Sequence, residues 1–144
     1  MPYRQEPNIS FYFLVKAPFL KDRKRLKNYI KEIFRNEGAE LNQLTYVFCS
    51  DEELRKMNKE WLDHDFYTDI LTFNFSPTSS LIIGEAYISI DRVKENAKSL
   101  KINVKNEINR VIFHGALHLC GYNDKNEKDI LEMRRKEDQY LSAY

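Results

Sequence analysis

Cysteine is nearly absent from this chain. Cys49 and Cys120 are its two thiols in 144 residues, too few for a disulfide scaffold, so both are expected to be free in a reducing compartment. Four glycines and four prolines are too few for a fibrous or low-complexity chain. No apolar run is long enough to span a bilayer, and residues 1–10 lack the apolar core of a secretory signal. The cytoplasm is therefore the expected location, with no membrane partner. An excess of either charge is missing too: 23 Lys and Arg stand against 22 Asp and Glu, a formal +1. Any attraction for a nucleic acid has to be local.

What is present is an ordinary globular composition, 42% hydrophobic and 13% aromatic. A chain of this length is expected to form one domain over residues 1–144 with a sizeable core. Residues 9–15 are aromatic and apolar, as in a first strand. Residues 21–38 repeat Leu26, Ile30, Ile33 and Phe34 at helical spacing, with Gly38 as the stop. The other face of that helix carries Lys24, Lys27 and Lys31, and a solvated face is preferred over an RNA patch.

Residues 44–49 read as a buried strand. Ser50 is expected to cap a helix to about Trp61, with Asp51, Glu52 and Glu53 at its positive end. Residues 63–69 form a polar loop, residues 70–75 a third strand and residues 76–80 a turn. Residues 81–90 suit a fourth strand, with Asp91 capping a helix to about Leu100. Asn103 caps the next helix, on which Val104, Glu107, Val111, His114 and His118 share a face. Residues 127–141 close the chain as an amphipathic helix with Ile130, Leu131 and Met133 inward. This order predicts an α/β (α+β) fold: one mixed sheet of about four strands packed with about five helices.

Histidine is scarce as well, with three in the chain, and two of them, His114 and His118, stand four apart on a helix. Two imidazoles on one helical face can grip one metal ion. Gly121 offers a helix stop from which the chain can bring Asp124 back as a third ligand. Asn123 and Glu127 remain alternative donors of that third oxygen. Cys120 lies two residues past His118 and so points away, as a buried thiol. Gly115 occupies the place of the glutamate base in the zinc-peptidase pattern H-E-x-x-H, which disfavours peptide hydrolysis.

The run His114-Gly115-Ala116-Leu117-His118-Leu119-Cys120-Gly121-Tyr122 resembles the signature H-G-x-L-H-L-x-G-Y-D-H of the YbeY family, metal-dependent endoribonucleases of ribosomal RNA maturation. Met57-Asn58 and Tyr67-Thr68-Asp69-Ile70-Leu71-Thr72-Phe73 are similar to a second family block, L-N-x-x-Y-R followed by P-T-D-V-L-S-F, and Gly84-Glu85 to its G-D strand motif. Three departures stand out. Asp124 replaces the third histidine, Leu62 stands where the family has an arginine, and Tyr67 replaces a proline.

The resemblance implies a zinc-dependent hydrolase of RNA phosphodiesters, with small-subunit ribosomal RNA or the ribosome as partner and with His114, His118 and Asp124 acting catalytically through the metal. His64, near the missing arginine, is the candidate for a replacement cation or proton donor, although an exposed loop histidine is the plainer expectation. Thr68 and Asp69 are expected to satisfy backbone groups and brace a cleft wall. Phe66, Tyr67 and Tyr122 are candidate stacking surfaces, each more often found as core. A metallopeptidase-like hydrolase and a non-catalytic ribosome-assembly protein with a structural metal are the alternatives.

Overall fold

The computed structural model describes residues 6–64, 67–78 and 80–144. Residues 1–5, Asp65, Phe66 and Ser79, which include a candidate stacking ring and parts of the expected loop and turn, lie outside the described residues. Along the chain come β1 (Asn8–Phe13), α1 (Arg23–Asn36), β2 (Leu41–Cys49), α2 (Asp51–Leu62), β3 (Ile70–Asn74), β4 (Ile82–Ser89), α3 (Ile90–Leu100), α4 (Val104–Leu119) and α5 (Glu127–Ala143). The four strands form one mixed sheet in the order β1-β2-β4-β3, with β1, β2 and β4 parallel and β3 antiparallel to β4. The expected α/β architecture is therefore the observed one.

Strand alternation divides the sheet into two faces. Leu44, Tyr46 and Phe48 of β2 and Ala86 and Ile88 of β4 join α1, α3, α4 and α5 in the main core. Cys49 and Leu71 point the other way, where α2 covers them with Leu54. Helix α4 is the centre of the main layer. Its Ile108, Ile112, Phe113, Ala116 and Leu117 are fully buried. At Gly115 it comes so close to the sheet that an added Cβ would stand 2.8 Å from Ile70 Cδ1.

Two local expectations are corrected. The cap of α3 is Ser89, not Asp91: Ser89 Oγ accepts from the Arg92 amide at 3.0 Å, and the helix begins one residue before Asp91. Asp91 instead accepts from the Asp51 amide at the start of α2. On α5, Ile130 and Leu131 are exposed, at 48% and 71%, and Met133, Glu137 and Tyr140 face inward. The inward stripe runs 133, 137, 140, so the helix is rotated from the face its aliphatic residues suggest. A carboxylate takes the middle of that stripe because buried partners await it.

Tyr46, completely buried, donates its hydroxyl to the Ile112 carbonyl at 2.8 Å, tying the middle of the sheet to α4. Tyr46→Phe is expected to cost about 1 kcal/mol, lowering the melting temperature by roughly 2–4 °C; calorimetry of the two proteins checks it.

Candidate metal centre

The end of α4 is built by backbone chemistry. Gly121 has φ +108, a conformation that L side chains rarely adopt. Its amide donates to His118 O and the Tyr122 amide to Leu117 O, both at 3.1 Å. These are the paired hydrogen bonds of a Schellman stop. The chain is thereby turned back over the last turn of α4, and Asp124 Oδ2 comes within 3.4 Å of His114 Nε2.

The two histidines stand in register, their rings within 6° of parallel and 6.3 Å between centroids. Each spends Nδ1 on a fixed acceptor. His114 Nδ1 meets Glu137 Oε2 at 2.8 Å, and His118 Nδ1 meets the Tyr122 carbonyl at 3.0 Å. A carbonyl can only accept, so Nδ1 of His118 carries the proton and Nε2 carries the lone pair. A carboxylate imposes the same choice on neutral His114. Outer partners of this kind are what hold metal-ligating histidines in their working tautomer.

Behind His114 lies a network that sequence reasoning did not assign. Glu137 and Glu107, 2% and 0% exposed, share Arg110, whose Nη1 reaches Glu137 Oε1 at 3.1 Å while Nη2 binds Glu107. Asp69, Arg110, His114, Asp124, Arg134 and Glu137 line a cavity of about 270 Å³. One signal was readable: Arg110, His114 and His118 form an i, i+4, i+8 polar series on a stretch, 107–119, whose other residues are buried. Glu137 has no such signal in a helix as rich in charge as α5.

Burial disfavours the His114 imidazolium, yet the Glu137 hydrogen bond and charge, with Asp124 and Asp69, hold its pKa above the ordinary 6.5. Burial likewise works against ionised Glu137, but His114 and Arg110 hold its carboxyl below the usual range. In Asp69 burial wins over the attraction of His114 and Arg110 and raises the pKa.

The other candidate residues are placed as follows. Among the described residues no group of three or more His, Cys, Asp and Glu is drawn up as a ligand cage; His114 and Asp124 are in contact, and His118 stands beside them. The donor chemistry, two imidazole nitrogens and one carboxylate, fits a zinc-type ion. His64 is exposed beyond α2, its amide bonded to Asn58 O, and is not among the residues lining the cavity. Nor is Leu62. Thr68 binds the Ile70 carbonyl, and Asp69 accepts from Asn96 while facing the cavity. Cys120 is half-buried, its thiol pushed up to about 12 chiefly by burial. Both described stacking candidates are engaged by cations. Arg55 and Arg92 sit 5.0 Å from the Tyr67 centroid, and Lys136 lies 5.6 Å from that of Tyr122. At Gly115, where a peptidase would carry its glutamate, an added Cβ would stand 2.8 Å from Ile70 Cδ1, so a larger side chain there requires Ile70 to shift.

The pKa directions fix a pH window for the metal-free protein. A raised His114 contributes stability fully below pH 6.5, lost as pH rises through its folded value. A lowered Glu137 contributes fully above pH 4.5, lost as pH falls through its folded value. Thermal unfolding is expected to show the largest contribution of the pair between those limits, and His114→Gln should remove the decline above 6.5. A variant with an unchanged upper limb would refute the assignment.

Comparison with known proteins identifies the family of the chain. Residues 16–144 match the family profile described as Endoribonuclease YbeY. A relative from Cytophaga hutchinsonii named Endoribonuclease YbeY is 47% identical over 123 residues, covering 85% of this chain and 86% of its own. Another of the same name, from Porphyromonas gingivalis, is 42% identical over 134 residues, covering 92% of this chain and 87% of its own. A solution structure from Thermotoga maritima superposes with a TM-score of 0.65 at 28% identity, covering 91% of this chain and 86% of that one. By motif, fold and sequence the chain belongs to the Endoribonuclease YbeY family.

Proposed function

We propose that this protein is a zinc-dependent endoribonuclease that hydrolyses phosphodiester bonds of single-stranded RNA in the maturation of small-subunit ribosomal RNA, in the cytoplasm. One observation carries the metal: both histidines have Nδ1 committed to an acceptor, which leaves two Nε2 lone pairs and the Asp124 carboxylate as donors at the end of one helix. The relatives' printed name supports the reaction class.

In this reading His114, His118 and Asp124 would hold the ion, which would supply Lewis acidity toward a phosphoryl oxygen and make water more acidic near neutral pH. Glu137 and the Tyr122 carbonyl keep the two rings oriented. Because Asp124 is anionic, it would neutralise more of the ion's charge than a third imidazole would. Arg134, whose Nη1 lies 3.5 Å from Glu137 Oε1 and whose side chain is 53% exposed, is the more exposed of the two cavity cations and the one that could exchange its contact for a phosphate. His64 is not among the residues that line the cavity.

The purified protein is expected to hold one divalent ion per chain and to cleave an unstructured RNA. Asp124→Ala should lower both metal content and cleavage; a variant that keeps both in full would move the third oxygen to Asn123 or Glu127. Glu137→Gln should weaken metal affinity by about 10- to 100-fold, read by competition with a chromogenic chelator. Metal bound without cleavage would instead point to a structural metal in an assembly protein.

A further inference from the structure

The strongest charge asymmetry in the chain lies away from the cavity, on α1. Residues 21–35 carry seven basic side chains against two acidic ones, a local charge of +5 in a chain whose total is +1. Lys24, Lys27, Lys31 and Arg35 follow at intervals of three, four and four, so they form a single stripe along the helix. Like charges at these spacings repel each other. Among the described residues none of the four is paired with a carboxylate. A face that served solvation alone would gain from mixed signs.

Nearby cations of the same segment are held in place by aromatic rings. The Lys27 ammonium lies 5.0 Å from the Phe11 centroid, and the Arg23 guanidinium 4.2 Å from that of Phe13. The helix that carries the stripe is tied to the candidate site at its C-terminal end. Glu37, just past α1, accepts from the Tyr122 hydroxyl and from Lys136, and the Tyr122 carbonyl is the acceptor that orients His118. From there the helix's 14 residues run about 20 Å across the surface.

We propose that the α1 stripe is the track for the phosphodiester backbone of the RNA strand that flanks the bond held at the candidate metal centre. The inference rests on the RNA-cleaving reading above and deepens it by naming the surface that grips the substrate. Ring-held cations at helical spacing suit a polyanion that is bound along its length without regard to base identity.

The test is the salt dependence of binding. Fluorescence anisotropy of a labelled, unstructured 20-nucleotide RNA is measured over a salt series with the metal-loaded wild type, with Lys24→Gln/Lys31→Gln/Arg35→Gln, and with Lys98→Gln/Lys101→Gln/Lys105→Gln, which removes as much charge from exposed positions of α3, α4 and the turn between them. The stripe variant is expected to lower the log–log salt slope by about 2, since each single-strand phosphate contact contributes roughly 0.7. The control should leave most of the slope intact. Equal slopes for wild type and stripe variant, an equal fall in the control, or no RNA binding by the wild type would each overturn the inference. Wild-type protein that cleaves RNA in any of those cases leaves the activity standing; α1-dependent binding without cleavage upholds the track and removes the activity.

Discussion

Glu137 is the carboxylate on which the candidate centre depends. It is delivered by α5 into a space lined by His114 and Arg110, 2% exposed, and its two oxygens divide the work: one takes the His114 ring proton and the other the Arg110 guanidinium. Such a group is stable only because its partners are present. Breaking a buried pair costs roughly 3–5 kcal/mol, as the remaining charge stays desolvated. The same contact docks α5 onto α4 and sets the tautomer of His114, so helix packing and ligand orientation are one interaction.

A parallel arrangement serves the second histidine. His118 is oriented by the Tyr122 carbonyl, and Tyr122 is anchored through its hydroxyl to Glu37, which also receives Tyr140 and Lys136. Burial works against ionised Glu37, yet these donors hold its carboxyl below the usual range. The Schellman stop at Gly121 is clamped from outside by α1 and α5. Two carboxylates, one at each end of the short site, therefore restrain the two imidazoles, and the return to Asp124 has little freedom left.

Much of this was legible in the chain itself. Hydrophobic periodicity located all four strands and five helices, because burial on one face imposes periods of 2 and 3.6 on any segment that packs. Ser50 and Asn103 announced their caps, and both side chains accept the expected amide bonds. Asp91 misled because Ser89, two residues earlier, is as good a cap and reaches the helix first. Ile130 and Leu131 misled because a helix with two candidate apolar stripes presents the one its neighbours can cover, and here Met133 and Tyr140 won together with Glu137.

Local sequence determined the helical spacing of His114 and His118, the glycine that permits the reversal at 121, and the carboxylate waiting at 124. These follow from the 3.6-residue turn and from backbone sterics, which need no knowledge of distant residues. Tertiary structure decided the rest: that Glu137 and Glu107 lie inside, that Arg110 bridges them, that Asp69, just before β3, faces the cavity, and that Leu62 and His64 are not among its lining residues. Those outcomes depend on which elements pack together, and a buried charge becomes tolerable only when a partner remote in sequence arrives to meet it.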